Sequence, residues 1–372
     1  MNRPPITPIV LALCCAGGTA LGEFQIKQVE VSREAYVEAM AKRPMIFGVG
    51  LVWDGRSTVH RMADDFNRVM IERVNEAGVT ATRIGFDWAV IEEEPLEYNW
   101  QTMDEERGLD RLLAMDIEVI GLINTAPGWA TPEGKAGTWA PTEESAELFE
   151  AFCKTLAERY RGKIKYYQYG HSMDIDPGWQ PKADPVSYAR WLKRAYRGLK
   201  AGNPDCVVGT GGHLGRNPGF LRTIYEEGGK DFLDAVGVNP WPPYEAPQGD
   251  EAFDWKRIED YRAVMVEQDD ADTPIWCSEW GYDVPTVGEE NQKEFMARAL
   301  DYLVHYEFIT MSVYWVMADY HRGTAGLFGL CDKDLVPRPA FDVWTERVKP
   351  LHEKVDPPGT TEPKITEEQK PE

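Results

Sequence analysis

The sequence predicts an α/β chain whose strands close into a single (β/α)8 barrel of the TIM type, and three observations carry that prediction. Eight short apolar or β-branched runs recur along the chain, their starts about 30 to 45 residues apart, the length of one strand–helix unit. Helix-patterned segments separate them. No glycine-rich dinucleotide fingerprint and no phosphate-binding loop interrupts the series, which disfavours an open, doubly wound sheet.

In chain order the strand segments are MIFGVGLVW (45–53), TATRIGF (80–86), IEVIGLIN (117–124) and KIKYYQYG (163–170), followed by CVVGTGG (206–212), LDAVGVNPW (233–241), PIWCSEWG (274–281) and ITMSVYWVM (309–317). Each is rich in residues that suit a strand buried on both faces. Between the third and fourth, ESAELFEAFCKTLAERYRG places Leu148, Phe152 and Leu156 at four-residue spacing with charges between them, the pattern of a helix packed on one side. After the fourth, DPVSYARWLKRAYRGLKAG opens on Asp184 as an N-cap with Pro185 in the first turn, and closes on Gly202.

The chain has 372 residues, 43% of them hydrophobic, so a large core can be buried. Its 62 acidic residues against 40 basic ones leave a formal charge of −22, which repels nucleic acids and anionic membranes but leaves room for a local basic pocket. The first residues, MNRPPITPIVLALCCAGGTALGEF, read as an export signal. Arg3 is the positive start, Ile9 to Cys15 the apolar stretch, and Ala20-Leu21-Gly22 the cleavage site. This implies a secreted or periplasmic protein. A lipid anchor through Cys14 or Cys15 is disfavoured by Leu13, and the apolar run is too short to span a bilayer. The expected organisation is a signal peptide over 1–22, an extension over 23–44, one barrel over 45–346 and a disordered Pro/Glu/Lys/Thr-rich tail over 347–372. Cys153, Cys206, Cys277 and Cys331 occur singly in apolar surroundings and read as buried free thiols.

A barrel of this kind carries its chemistry at the C-terminal ends of its strands. Those ends hold Trp53, Trp88, Trp129, Trp241, Trp280 and Trp315, six of the 13 tryptophans, together with Asp54, Asp87, Asn124, His171, His213, Asn239 and Asp319. Flat apolar faces edged by N–H donors suit a carbohydrate. Glu279 ends a nearly continuous apolar strand, where an unpaired carboxylate would be costly. Arg83, inside the second strand, is its natural partner. This pair is either structural or the setting of a nucleophile for glycosyl transfer. No organic cofactor is implied. A metal site drawn from His171, Asp174 and His213 matches no recognised ligand spacing.

Five stretches together resemble the clan of retaining glycoside hydrolases built on (β/α)8 barrels, of the family 39 and family 5 type: GVTATRIGFDWAVIEEEPLEYNW (78–100), INTAPGWA (123–130), LDAVGVNPW, PIWCSEWG and SVYWVMADYHRGTAGLFGLCDKDLVPRPAF. The resemblance covers about residues 45 to 345. It implies that Glu279 is the nucleophile, that Arg83 orients it and that Trp315 lines the sugar subsite. Asn239 stands where the clan usually has a histidine. The fourth strand departs more sharply. In the clan it ends in Asn-Glu, the glutamate being the general acid/base, whereas KIKYYQYGHSMD puts His171 and Ser172 there. A serine hydroxyl is too weakly acidic to protonate a leaving oxygen. Three readings follow. Asp174 or Asp176, or His171 with its pKa raised by Glu279, replaces the acid; or the substrate needs none, or an external or substrate-borne acid serves; or the barrel has lost hydrolysis and binds a glycan.

Overall fold

A computed structural model describes Met40 and residues 45–51, 64–214, 217–241, 255–319 and 327–352. Trp53 and Asp54 lie outside the described residues, as do the export signal, the 23–39 part of the extension and everything beyond His352. Eight parallel strands form one sheet: β1 (Ile46–Val49), β2 (Ala81–Asp87), β3 (Glu118–Asn124), β4 (Tyr166–Tyr169), β5 (Val207–Thr210), β6 (Val236–Gly237), β7 (Ile275–Trp280) and β8 (Ile309–Tyr314). The hydrogen-bonded order β5-β4-β3-β2-β1-β8-β7-β6 wraps the sheet around, with β1 joining β8 in register from Ile46 against Met311 to Val49 against Tyr314. The remaining seam, β5 to β6, is closed by bridges Gly209–Ala235 and His213–Val238 and by the Gly237 N–H, which donates to Thr210 Oγ1 at 2.8 Å. The (β/α)8 barrel the sequence predicts is therefore present.

One principal helix follows each strand: α1 (Asp64–Glu76), α2 (Leu109–Ala114), α3 (Ala146–Arg159), α4 (Pro185–Gly202), α5 (Gly219–Glu226), α6 (Lys256–Glu267), α7 (Glu289–His305) and α8 (Pro339–His352). Asp184 caps α4 by accepting from the backbone N–H of Val186 at 3.0 Å and Ser187 at 3.1 Å. Alternation sorts the strand residues. Phe47, Val49, Ile84, Phe86, Tyr167 and Cys277 face outward into the main core beneath the helices, and Ala81, Ile120, Ala235, Trp276, Met311 and Val313 fill the interior. Trp276 fits because Gly209 faces it: a Cβ there would lie 2.7 Å from the indole. The described cysteines are all buried free thiols.

Two boundaries differ from the sequence reading. Strand six is only two residues long, because beyond Val238 the backbone at Asn239 turns to accept from the N–H of Trp241 at 2.8 Å. At the C-terminus, α8 runs through Pro350 to His352, so the expected tail start at 347 is too early. Val348 is fully buried and His352 Nδ1 lies 2.9 Å from Gly78 O, contacts that a Pro-rich composition does not reveal.

Candidate active site

Glu279 reaches the barrel interior by a local irregularity. Along the β7–β8 ladder Cys277 pairs with Ser312 and Trp280 with Tyr314, so three steps on β7 match two on β8. The extra residue is a β-bulge, and it lets Ser278 and Glu279 both turn inward opposite Val313. Strict alternation would have sent Glu279 to the helix layer. On the opposite wall Ala81, Arg83, Gly85 and Asp87 rise along the inner face of β2, and Arg83 forms an ion pair with Glu279 Oε2. The pair is largely enclosed, with side-chain exposures of 6% and 12%.

A polar chain supports the pair. Arg83 Nη1 donates to Ser278 Oγ at 3.3 Å, and Ser278 Oγ donates to Asn239 Oδ1 at 3.0 Å. Since Arg83 can only donate, the serine proton must go on to the asparagine oxygen, which fixes the amide orientation. Asn239 Nδ2 is then a buried donor without a hydrogen-bond partner among the described residues. The amide lies flat against Gly212, where any side chain would collide with it.

The fourth strand end supplies His171. Its Nε2 lies 3.8 Å from Glu279 Oε2, the oxygen that Arg83 already holds, and its Nδ1 is buried without a partner among the described residues. Gly170 and Ser172 flank it with φ of 83° and 52°. Burial lowers the His171 pKa below the ordinary histidine value, and this outweighs the pull of Glu279 in the other direction. The expectation that Glu279 raises this pKa is thus corrected: desolvation wins, and the ring is neutral at neutral pH. Asp174 is turned the other way. Its side chain is fully buried and accepts from Leu214 N–H at 2.8 Å and the Tyr261 hydroxyl at 3.2 Å, with His213 Nδ1 3.9 Å off. His213 is buried with it and its pKa is pushed down to about 4.

The tryptophans divide into two groups. Trp315 follows β8 directly, its N–H donates to Trp280 O at 2.7 Å, and its ring lies against Gly50 across the end of β1. It clusters with Trp241 and with Phe328, which meets Trp241 edge-on at 5.1 Å. Trp88, Trp129 and Trp280 are otherwise engaged. Trp88 donates to Glu92 Oε2 at 2.6 Å in the core, and Trp129 donates to Glu92 O at 3.2 Å with its ring edge-on to Trp88. Trp280 is the outward side of the bulge, donating to Ser312 Oγ at 2.9 Å beside Trp255 and Tyr314. The expectation of a sugar surface at Trp88 and Trp280 is not met, because both are fully buried.

Sequence reasoning missed Arg107. It donates to Gly85 O and pairs with Asp87 Oδ2 at 2.9 Å, both at the end of β2, while Thr125 Oγ1 donates to Asp87 Oδ1 at 3.3 Å. Nothing in the helical run around Arg107 signals this reach. Ser278 had a visible signal, two consecutive polar residues in an apolar strand. Among the described residues no group of three His, Cys, Asp or Glu side chains is arranged to hold a metal ion.

The solved structures that this (β/α)8 barrel resembles are glycoside hydrolases. It is similar to a family 39 glycoside hydrolase from the gut symbiont Bacteroides cellulosilyticus WH2, with 19% identity over 84% of this chain and 65% of that one, at a TM-score of 0.65. A monomeric beta-xylosidase from Caulobacter crescentus CB15 shares 17% identity over 81% and 67% of the two chains (TM-score 0.62). A GH5_18 protein from Streptomyces cattleya in complex with Manb1-4GlcNAc shares 16% over 84% and 82% (TM-score 0.62). The chain therefore spans about two thirds of the first two of these. No family model and no curated protein matches it.

Proposed function

We propose that the protein is an exported glycosidase that cleaves a β-linked saccharide through a glycosyl–enzyme intermediate on Glu279. The observation that carries this reading is the bulge at Ser278-Glu279. It turns Trp280 out into the core and Glu279 in toward the barrel mouth, and it sets an enclosed arginine against that carboxylate. Arg83 and His171 both approach Oε2, which leaves Oε1 as the attacking oxygen. Arg83 fixes the carboxylate rotamer through its two donors, one on Oε2 and one on Ser278 Oγ. Trp315, only half-buried at the end of β8, supplies an apolar face against which a pyranose can lie, while the buried Trp241 and Asn239 support the wall behind it. Beta-xylosidase, glucosidase and exo-beta-1,4-mannosidase are among the descriptions of the structural neighbours, so aryl β-xylosides, β-glucosides and β-mannosides are the first substrates to try.

The test is covalent trapping. A 2-deoxy-2-fluoro glycoside with an activated leaving group should label Glu279, read by peptide mass, and Glu279→Gln should abolish both label and turnover. Labelling at another residue overturns the mechanism. A second reading, a barrel that binds a glycan without hydrolysing it, is favoured by Ser172 at the expected acid position. It predicts saccharide binding by calorimetry with no label and no turnover on any activated donor.

A further inference from the structure

We infer that the site divides its chemistry unevenly: it has no protein acid for the leaving group at the end of β4, and it uses His171 as the base that activates water in the second step. The substrates it serves are therefore glycosides whose aglycone departs as a stabilised oxyanion, such as a phenolate or a carboxylate. This rests on the proposal that Glu279 is the nucleophile.

Three placements on the fourth strand end carry the inference. Ser172 holds the position next to the mouth with its backbone pinned, its N–H donating to Gly212 O at 3.2 Å, and a hydroxyl is too weak an acid to protonate the glycosidic oxygen as its bond to C1 breaks. Asp174, the nearest carboxylate on that loop, faces away from Glu279 into a pocket closed by Leu214, Tyr261 and His213. Asp87, on the facing wall, has both oxygens engaged, by Arg107 and Thr125. His171 alone on this strand end approaches the nucleophile, with Nε2 3.8 Å from Glu279 Oε2 and a ring that keeps 32% exposure. A retaining pair needs roughly 5 Å between its groups, so the imidazole moves aside by about 1–2 Å as the sugar enters, which its exposed edge permits. The charged and titratable groups around it are Glu279, Arg83, Asp174 and Asp87.

The two half-reactions demand opposite states of one group. In the first, Glu279 Oε1 bonds to the anomeric carbon and the C1–O bond breaks, its electron pair leaving with the aglycone. An unprotonated imidazole has no proton to give here, so only a stabilised anion departs readily. In the second, water attacks the same carbon, His171 Nε2 takes its proton, and the C1–Oε1 bond breaks to restore the Glu279 carboxylate. The imidazolium then releases its proton to solvent. A histidine depressed by burial is ready for the second task over the whole neutral range.

A series of aryl glycosides of one sugar, with leaving-group pKa from about 4 to 10, tests this directly. For the wild type, log kcat/KM should fall steeply with leaving-group pKa, with a slope near −1, while Ser172→Glu should flatten the slope. His171→Asn should lower kcat on the most acidic leaving groups by about 10² and lower KM in step, as glycosyl–enzyme accumulates. Azide, which needs no base, should restore that kcat and yield the glycosyl azide, a rescue that a purely structural role for His171 would not show. A shallow slope in an enzyme that still labels at Glu279 overturns this inference alone, since some group is then donating a proton. Loss of kcat/KM across the whole series in His171→Asn without azide rescue also overturns it. No labelling with any activated donor overturns the glycosidase reading, and this inference with it.

Discussion

Replacing Arg83 by methionine leaves the volume of the side chain nearly filled and removes its charge. Glu279 would then sit in the barrel with 12% exposure and no cation, and Ser278 Oγ would lose a donor. Breaking one partner of a buried pair costs about 3–5 kcal/mol. The residual exposure of Glu279 and the mouth above it place this pair near the lower end, about 3 kcal/mol. Glu279→Gln alone strands Arg83 and should cost about as much. The double variant Arg83→Met/Glu279→Gln removes both charges, so it should cost at least about 1.5 kcal/mol less than the sum of the singles. Urea unfolding followed by circular dichroism measures all four corners of the cycle. The penalty of the single variants should persist at about 1 M salt, because an enclosed pair is poorly screened. If the two single changes add to the double within about 0.5 kcal/mol, Arg83 and Glu279 are not coupled. The physical account of the site would then fail at its base.

Other consequences are open to shorter tests. His213 has its pKa lowered from 6.5 to about 4 by burial, so the unfolded chain binds a proton in that interval that the folded one refuses. Its contribution is complete above about pH 6.5 and is lost as the pH falls toward 4, a difference of roughly 3 kcal/mol, and His213→Gln should visibly flatten that acid limb in urea titrations. Gly281→Ala would put a Cβ 2.3 Å from Trp315 O. The strain should displace the indole, raising KM for aryl glycosides about tenfold while near-UV circular dichroism keeps its folded form. Cys153, Cys206, Cys277 and Cys331 should stay unmodified by a thiol reagent until urea unfolds the chain, as peptide mass spectrometry would show.

The strands were legible because a parallel barrel buries both faces of each, so the segments stand out as short apolar runs with rim residues at one end. Helix α4 was legible to its first residue because Asp184 and Pro185 are local signals. What stayed hidden depends on contacts far apart in sequence. The bulge that turns Glu279 inward is visible only against the register of β8, and without it Glu279 and Trp280 would exchange faces. The rim tryptophans show the same limit. Trp88 and Trp280 occupy the right strand ends, yet a glutamate four residues on and a serine 32 residues on draw their N–H groups into the core beneath the helices. A list of residues at strand ends cannot separate these, or the buried Trp241, from the half-buried Trp315.

On the proposed reading the end of β4 carries no general acid, and the fate of Asp174 shows why the next carboxylate in sequence does not supply one. The loop after β4 leaves Gly170 in the left-handed region, and Ser172 follows in the same region. Gly178 returns so close to Ser172 that any side chain there would overlap its carbonyl. This tight loop carries Asp174 over toward α6, where Tyr261 and the Leu214 N–H hold it. Bringing it to the mouth would leave those two donors without their carboxylate and His213 without its neighbouring charge, a cost of several kcal/mol against a rate benefit of 10² to 10⁴. Asp174→Asn should therefore lower stability by about 1–3 kcal/mol and leave the leaving-group slope unchanged. A slope that steepened in Asp174→Asn would mean that this carboxylate does reach the glycosidic oxygen.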